Sequence, residues 1–489
     1  MKYGFLIDHD RCIGCHACTV ACKAENEVPV GNFRTWVKYV EKGTFPEVRR
    51  HFAVLRCNHC DNAPCVKICP VNALEKRADG IVDIDRDACI GCRACMQACP
   101  YDAIYLNEGH GAVEKCHFCA HRVEKGLEPA CVIVCPEQAI IAGDLDDPKS
   151  RIRGLIRESK TQVRRPEQKT GPNVHYKGLE PSLIDPGGPE RPNSYLWSQR
   201  PAHKPEAWPI SLPVLKDTRV VLDAGHKVEW GWTVALYLVT KGIGAGAGVL
   251  APFAAWLGLT GWSASYLPEI IALAFTLLTM GLLIEDLKRP TLFYRLLTRP
   301  NWNSWLVKGG IILGMFAATS TAIIALRWLG MDGPADALRW AEMLLGAAAA
   351  CYTVFLFGQC EGRDLWQNPR LAEHLAAQSV LCGALAFAAA GASATPIRAM
   401  IGIAALATIG AALRERFVRH ATANARQGAA FLTTLRLGPF SAFRDGLILC
   451  AVGGLLGIFF PAAAFAPVLL GLYLYEWAYI RAGQLPPLS

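Results

Sequence analysis

The chain has 489 residues, a formal charge of +8 and a composition that is 52% hydrophobic. It is too long for one ordinary domain, and two or three are expected. The positive charge does not mark a nucleic-acid binder. The basic residues collect in one stretch and in short loops between apolar segments, where membrane topology accounts for them.

Sixteen of the twenty cysteines precede residue 150. In a small secreted chain they would imply disulfides. Here their spacing is that of metal sites, and the start Met1-Lys2-Tyr3-Gly4-Phe5 shows neither an apolar signal core nor a twin-arginine stretch, which points to a cytoplasmic domain. The first group is Cys12, Cys15, Cys18 and Cys22; the second is Cys57, Cys60, Cys65 and Cys69, followed by Pro70. The third is Cys89, Cys92, Cys95 and Cys99, followed by Pro100; the fourth is Cys116, Cys119, Cys131 and Cys135, followed by Pro136. Three cysteines two residues apart wrap a loop round one face of a cubane. The fourth is expected to begin a helix and point away, so that in two-cluster ferredoxins it binds the neighbouring cluster. Sixteen thiolates supply four [4Fe–4S] clusters with none left over. Zinc sites use separate C-x2-C pairs, a different pattern. His16, His59, His117 and His121 lie among the cysteines and read as neighbours or surface residues, not ligands. Alternating stretches at 80–85 and 139–141 complete the expectation of an α+β, duplicated ferredoxin-like iron–sulfur domain over residues 1–148.

The lines Cys12-Ile13-Gly14-Cys15-His16-Ala17-Cys18, Cys57-Asn58-His59-Cys60 and Ala88-Cys89-Ile90-Gly91-Cys92-Arg93-Ala94-Cys95 resemble the four-cluster subunit of the molybdopterin oxidoreductase family. That family includes dimethyl sulfoxide, polysulfide and nitrate reductases and formate dehydrogenase. The resemblance implies that Cys12, Cys15 and Cys18 share a cluster with Cys135, and that Cys116, Cys119 and Cys131 share one with Cys22. It likewise joins Cys57, Cys60 and Cys65 to Cys99, and Cys89, Cys92 and Cys95 to Cys69. The nitrate reductase branch has Trp at one third-group position; Cys92 keeps the thiol here, which implies four cubanes.

Residues 149–225 read as a linker, basic over 149–171 (Lys149, Arg151, Arg153, Arg157, Lys160, Arg164, Arg165, Lys169) and proline-rich over 172–213. Such a stretch is either an arm laid over a partner subunit and the membrane domain or a mobile tether.

Residues 226–489 contain eight apolar runs of spanning length, at about 231–257, 264–284, 305–328, 337–359, 371–392, 396–413, 444–460 and 464–481. They predict an all-α, eight-helix transmembrane domain with both ends on the cluster side. Loops on that side carry Lys288, Arg289, Arg295, Arg299, Arg363, Arg370, Arg414, Arg416, Arg419, Arg426 and Arg436, against Arg327, Arg339 and Arg398 opposite. The positive-inside rule then places the clusters in the cytoplasm and the chain in the inner (cytoplasmic) membrane. His226 precedes the first span, His374 sits at the edge of the fifth and His420 lies in a loop, so paired haem ligands are not expected. The region resembles the haem-free anchors of polysulfide and dimethyl sulfoxide reductase, the NrfD/DmsC family, with Trp232-Thr233-Val234-Ala235-Leu236-Tyr237-Leu238 and Arg481-Ala482-Gly483-Gln484 fitting it.

A haem-free anchor has to exchange electrons directly with membrane quinone (menaquinone or ubiquinone), so a quinone pocket is expected near the clusters. Tyr237 lies about 9 Å inside the first span at 1.5 Å per residue, with Tyr352 at similar depth. Both are candidate partners for quinone oxygens. Lys241, one turn below Tyr237, either relays protons or pairs with a carboxylate such as Glu285 or Asp286. Gly242, Gly244, Gly246 and Gly248 read as a helix-packing surface. Cys351, Cys360, Cys382 and Cys450 read as small buried hydrophobes. The chain has no molybdopterin domain, so the resemblance implies a separate molybdopterin-containing catalytic subunit. Its cluster at Cys12, Cys15, Cys18 and Cys135 would face that subunit, and the one at Cys89, Cys92, Cys95 and Cys69 the quinone. A sulfite:quinone oxidoreductase is the first reading. An S-oxide, polysulfide or thiosulfate reductase, a formate dehydrogenase, and a proton-translocating module of a larger respiratory complex are the alternatives.

Overall fold

A computed structural model describes residues 1–184, 186–191, 215–225 and 227–489. His226 and the proline-rich residues 192–213 lie outside them.

The strand Tyr3–Asp8 is the spine of the first domain. It pairs antiparallel with Ile140–Asp144 and parallel with Val174–Lys177. Its alternation is physical: Phe5 and Ile7 point into the core beside Cys18, while Leu6 packs on Ile152 of the helix Arg151–Glu158. A second sheet is built from Thr35–Lys42, Arg49–Arg56 and Thr218–Leu222. Two hairpins, Leu74–Lys76 with Val82–Ile84 and Ile104–Asn107 with Ala112–Lys115, repeat the ferredoxin unit.

The short helices differ from the sequence expectation. They run between the third and fourth cysteines and stop at the fourth: Pro64–Ile68 ends at Cys69, and Ala94–Ala98 at Cys99. The proline after each of these cysteines is the cause. A residue before proline is driven out of the helical region, and Cys69 (ψ 118°) and Cys99 (ψ 116°) are extended.

The basic stretch after residue 148 is folded. The helix Arg151–Glu158 covers the first sheet, Val174–Lys177 is a strand within it, and Arg164 is buried with its guanidinium donating to the Leu488 carbonyl at 2.8 Å. Thr218–Leu222 closes the second sheet. Sheet pairing absorbs both ends of the segment read as a linker, because single strands with buried faces cannot stand alone.

Among the described residues, eight helices are long and apolar enough to cross a membrane: Trp232–Phe253, Trp262–Glu285, Trp305–Trp328, Asp332–Gln359, Leu371–Ala389, Thr395–Phe417, Ala442–Phe459 and Pro461–Gln484. The break between the last two falls at Phe460, just ahead of Pro461. The first span is central and packs on the second, fourth, fifth and eighth. Its glycines make this possible. A Cβ on Gly246 would stand 1.9 Å from the Ser379 carbonyl oxygen, and one on Gly248 2.5 Å from the Phe316 ring. Close backbone approach is how helices pack where lipid removes the hydrophobic drive.

Gly246→Val is therefore expected to destabilise the membrane domain by about 1–3 kcal/mol or more, read as a lower unfolding temperature of the detergent-solubilised protein. Gly242→Ala, whose added carbon meets nothing nearer than 3.5 Å, is the matched control and should unfold with the native chain.

Candidate functional site

The cysteine loops share a backbone device. Gly14 (φ 72°) and Gly91 (φ 70°) are followed two residues on by His16 (φ 62°) and Arg93 (φ 59°), all in the left-handed region. This curls the first and third loops tightly around their cysteines. Glycine is required for a second reason, since a Cβ on Gly14 would strike Phe52 and one on Gly91 would strike the Gly111 carbonyl and Lys288.

The fold brings the thiols together across motifs. Cys12 neighbours Cys15 and Cys135, and one cavity is lined by Cys12, Cys15, Cys18 and Cys135. Cys22 neighbours Cys119 and Cys131, and Cys116 neighbours Cys22 and Cys119. Cys60 and Cys65 neighbour Cys57 and Cys99, and Cys92 and Cys95 neighbour Cys89 and Cys69, while Cys18 also nears Cys131, Cys116 nears Cys57 and Cys95 nears Cys65. Cys15 is exposed, Cys12, Cys92 and Cys135 are half-buried, and the other twelve are buried.

These residues fit iron–sulfur clusters. Burial pushes the Cys18 thiol up to about 11 and the Cys60 thiol up to about 12, so a thiolate there needs a countercharge, which a bound metal would supply. Backbone N–H groups already point at sulfur: Ala73 to Cys69 at 3.3 Å, Ala139 to Cys135 at 3.2 Å and Gly91 to Cys89 at 3.4 Å. Three of the four interspersed histidines have hydrogen-bond partners other than the thiols, and His16 lies against the Tyr39 ring. His59 Nδ1 accepts from the Val82 amide, His117 Nδ1 from the Cys119 amide, and His121 meets Glu25 at 2.8 Å.

The second and third motifs are seated on the membrane helices. Arg93 reaches Asp286 at 2.6 Å, and Trp230 Nε1 donates to the Cys92 carbonyl at 3.3 Å. Asn301 donates to the Cys69 carbonyl at 2.8 Å and Ser304 to the Ile68 carbonyl at 2.6 Å. Arg363 bonds Gln97 at 2.8 Å, which in turn bonds Gln484 at 3.0 Å. The first and fourth motifs lie away from this seat. Beside the exposed Cys15, the loop and adjoining helices expose Ile13 (56%), Val20 (64%) and Ile133 (56%).

Under the seat is a largely apolar cavity of about 110 Å³, lined by Cys92, Trp230, Val234, Tyr237, Asp286 and Tyr352 among others. Tyr237 and Tyr352 both reach it. Lys241 does not line it. Its ammonium donates to the Ala350 carbonyl at 3.1 Å and Thr353 Oγ1 at 2.5 Å, and lies 4.9 Å over the Tyr352 ring, behind the cavity wall. The Lys241–Asp286 pair considered from the sequence does not form, because Asp286 is held by Arg93 and Thr233. Sequence reasoning missed Trp230 and Asp286 as wall residues. Each sits at the end of a span, next to the charged residues Glu229 and Glu285, and only the docked cysteine loop makes that level part of a cavity. His374 is buried within the fifth span, 3.5 Å from Glu476.

Residues 48–145 match the 4Fe-4S dicluster domain, residues 3–24 a 4Fe-4S binding domain, and residues 220–396 the family described as polysulphide reductase, NrfD. Over 189 residues the chain is 46% identical to a subunit of the tetrathionate reductase of Salmonella typhimurium, covering 38% of this chain and 76% of that one. It is 40% identical over 173 residues to a component of the polysulfide reductase of Wolinella succinogenes, covering 35% of this chain and 90% of that one. A putative dimethyl sulfoxide reductase iron–sulfur subunit of Halobacterium salinarum is 43% identical over 220 residues, 38% of this chain and 82% of its own. Matched cysteine loops, eight spans and these likenesses converge: the chain is a member of the family of iron–sulfur electron-transfer subunits that includes those of tetrathionate reductase and polysulfide reductase, joined here to a multi-pass membrane domain of the NrfD family.

Proposed function

We propose that this chain conducts electrons through four [4Fe–4S] clusters between membrane quinone and a separate molybdopterin-containing catalytic subunit. The observation that carries the reading is the cavity shared by Cys92, Trp230, Tyr237 and Tyr352, which opens an apolar, aromatic space directly beneath a cysteine loop. When bound, the clusters supply one-electron steps between the two-electron chemistries at either end. The sets proposed to hold them are Cys12, Cys15, Cys18 and Cys135; Cys22, Cys116, Cys119 and Cys131; Cys57, Cys60, Cys65 and Cys99; and Cys69, Cys89, Cys92 and Cys95.

The residues divide the work. Tyr237 and Tyr352 offer hydroxyls to quinone oxygens, with Lys241 holding the Tyr352 ring from behind by its charge. Trp230 ties the cavity roof to the Cys92 carbonyl, so quinone and sulfur keep a fixed separation. The exposed apolar side chains beside Cys15 suit docking of the catalytic partner. The similar proteins are, by name, parts of reductases of tetrathionate and polysulfide, which favours electron flow from quinol toward the partner over the sulfite-oxidising reading. The basic cluster-side loops favour a cytoplasmic cluster domain in the inner membrane.

Purified with its partner, the chain is expected to hold about sixteen iron and as many acid-labile sulfides beyond those of the large subunit; a few zinc ions and no sulfide would sink the cluster reading. Quinol should reduce the clusters in membranes. Gly309→Val places a branched side chain where even a Cβ would stand 2.3 Å from the Tyr352 ring, and should weaken quinol oxidation roughly tenfold, the equivalent of about 1.4 kcal/mol, with iron content unchanged. An unaltered rate would remove Tyr352 from the pocket. A reporter fused to the N-terminus should be active in the cytoplasm, and periplasmic activity would overturn the orientation.

A further inference from the structure

Arg56 is the last residue of the strand Arg49–Arg56, one position before Cys57, and it is completely buried. Its guanidinium lies 4.3 Å over the Phe5 ring, and Nη1 donates to Cys131 Sγ at 3.2 Å. Cys116 and Cys18 are its other electrostatic neighbours. Its Nε and Nη2 are buried without a hydrogen-bond partner. Among the described residues no carboxylate lies within ion-pair distance of it.

This is an unusual arrangement. Guanidinium does not lose its proton in proteins, and a buried charge without a countercharge is strongly unfavourable. The other buried cations near the cysteine loops are answered. Arg34, also near Cys22, meets Glu114 at 3.0 Å. Arg93 meets Asp286 at 2.6 Å. Lys115 donates to the carbonyls of Val82 and Cys116. Among the described residues, the acceptor that Arg56 meets is Cys131 Sγ, with the Phe5 ring against its face. The negative charge that answers it must therefore belong to what the sulfurs hold. A cubane bound by four thiolates is a net anion, and reduction by one electron adds one more negative charge.

We infer that Arg56 is a fixed charge that raises the reduction potential of the cluster bound by Cys22, Cys116, Cys119 and Cys131, making it the electron-retaining station of the wire. The inference rests on the cysteine sets proposed above. Charge beside the cluster and hydrogen bonding to its sulfurs are two of the variables that set such potentials, and Arg56 supplies both in a site shut off from water. Cys18, in the set containing Cys15, also lies near Arg56, but the hydrogen bond goes to Cys131 and solvent reaches the Cys15 loop, so the effect on that set is weaker. The two clusters nearest the catalytic partner are thus held at different potentials by burial and by one guanidinium. An electron coming from the membrane is retained one step short of the docking face until the partner's acceptor draws it through.

The test is an EPR-monitored redox titration of the whole complex in membranes, comparing native protein with Arg56→Gln and Arg56→Lys, with iron and sulfide counted in each. Arg56→Gln should lower the midpoint of one cluster by at least a tenfold change in its one-electron equilibrium, about 59 mV, and shift the other three by less. Arg56→Lys keeps the charge and should keep that midpoint near the native value. Full iron content with all four midpoints unmoved in Arg56→Gln overturns the inference, as does a shift in Arg56→Lys as large as that in Arg56→Gln. If Arg56→Gln assembles too few clusters to titrate, retention of clusters and potential by Arg56→Lys supports the charge, and equal loss in both assigns Arg56 to packing and overturns it. An iron count far below sixteen in the native chain would instead overturn the four-cluster reading on which this one stands.

Discussion

Arg93 leaves the third cysteine loop from a left-handed backbone position, and its guanidinium closes on Asp286 at the cluster-side end of the second span. The rest of the architecture hangs on that seat. Asp286 is in turn steadied by Thr233 of the first span, and the Arg93 guanidinium also donates to the Glu229 carbonyl at 2.8 Å. One buried ion pair therefore fixes a cysteine loop against two transmembrane helices at once. Breaking one side of such a pair is costly because it leaves a desolvated charge behind. The seat orients the molecule, with the second and third motifs on the membrane and the first and fourth at the far end.

The same contact makes the cavity. Tyr237 and Tyr352 belong to the membrane helices and Trp230 to the segment just ahead of the first, whereas Pro70, Ile90 and Cys92 belong to the iron–sulfur domain. Neither part encloses the space alone. The stacked rings of Trp230, Phe357 and Trp366 form a rigid block behind it, with Trp230 and Trp366 centred 5.6 Å apart and Phe357 and Trp366 4.8 Å apart. A buried glutamine, Gln484, ties this block to the cluster domain through Gln97 and the Trp230 backbone. The terminal helix thereby acts on the cavity from its far side.

The basic loops serve two ends. Arg289 donates to the carbonyls of Arg86 and Cys89, Arg295 to that of Asp87, and Arg299 approaches Asp85 at 3.4 Å. These are among the residues whose excess on one face signals topology. On the other face Arg327 is matched by Asp332 and Asp336, and Arg339 by Glu269. Arg327 and Arg339 are thus neutralised locally, whereas Arg289 and Arg295 donate to carbonyls and keep their charge.

The sequence by itself determined what is local. Cysteine spacing set the loops and the iron–sulfur chemistry, apolar runs set eight spans to within a few residues at most ends, and the glycine row of the first span announced close packing. Local rules also correct one expectation: Pro70 and Pro100 stop the short helices at the fourth cysteines, a consequence legible in the sequence once the residue before proline is considered. The tertiary structure decided everything that depends on residues far apart. Pairing of Val174–Lys177 with Tyr3–Asp8 turned an apparent linker into part of a sheet. Docking gave Asp286 to Arg93 and not to Lys241, and put Lys241 behind Tyr352 and not beside it on the cavity wall. Arg56 stands next to Cys57 in the chain, yet its charge falls on Cys131. Spacing along a chain fixes which atoms can share a loop. Which loops share a charge is settled only when distant segments are buried together and each buried ion has to find its partner.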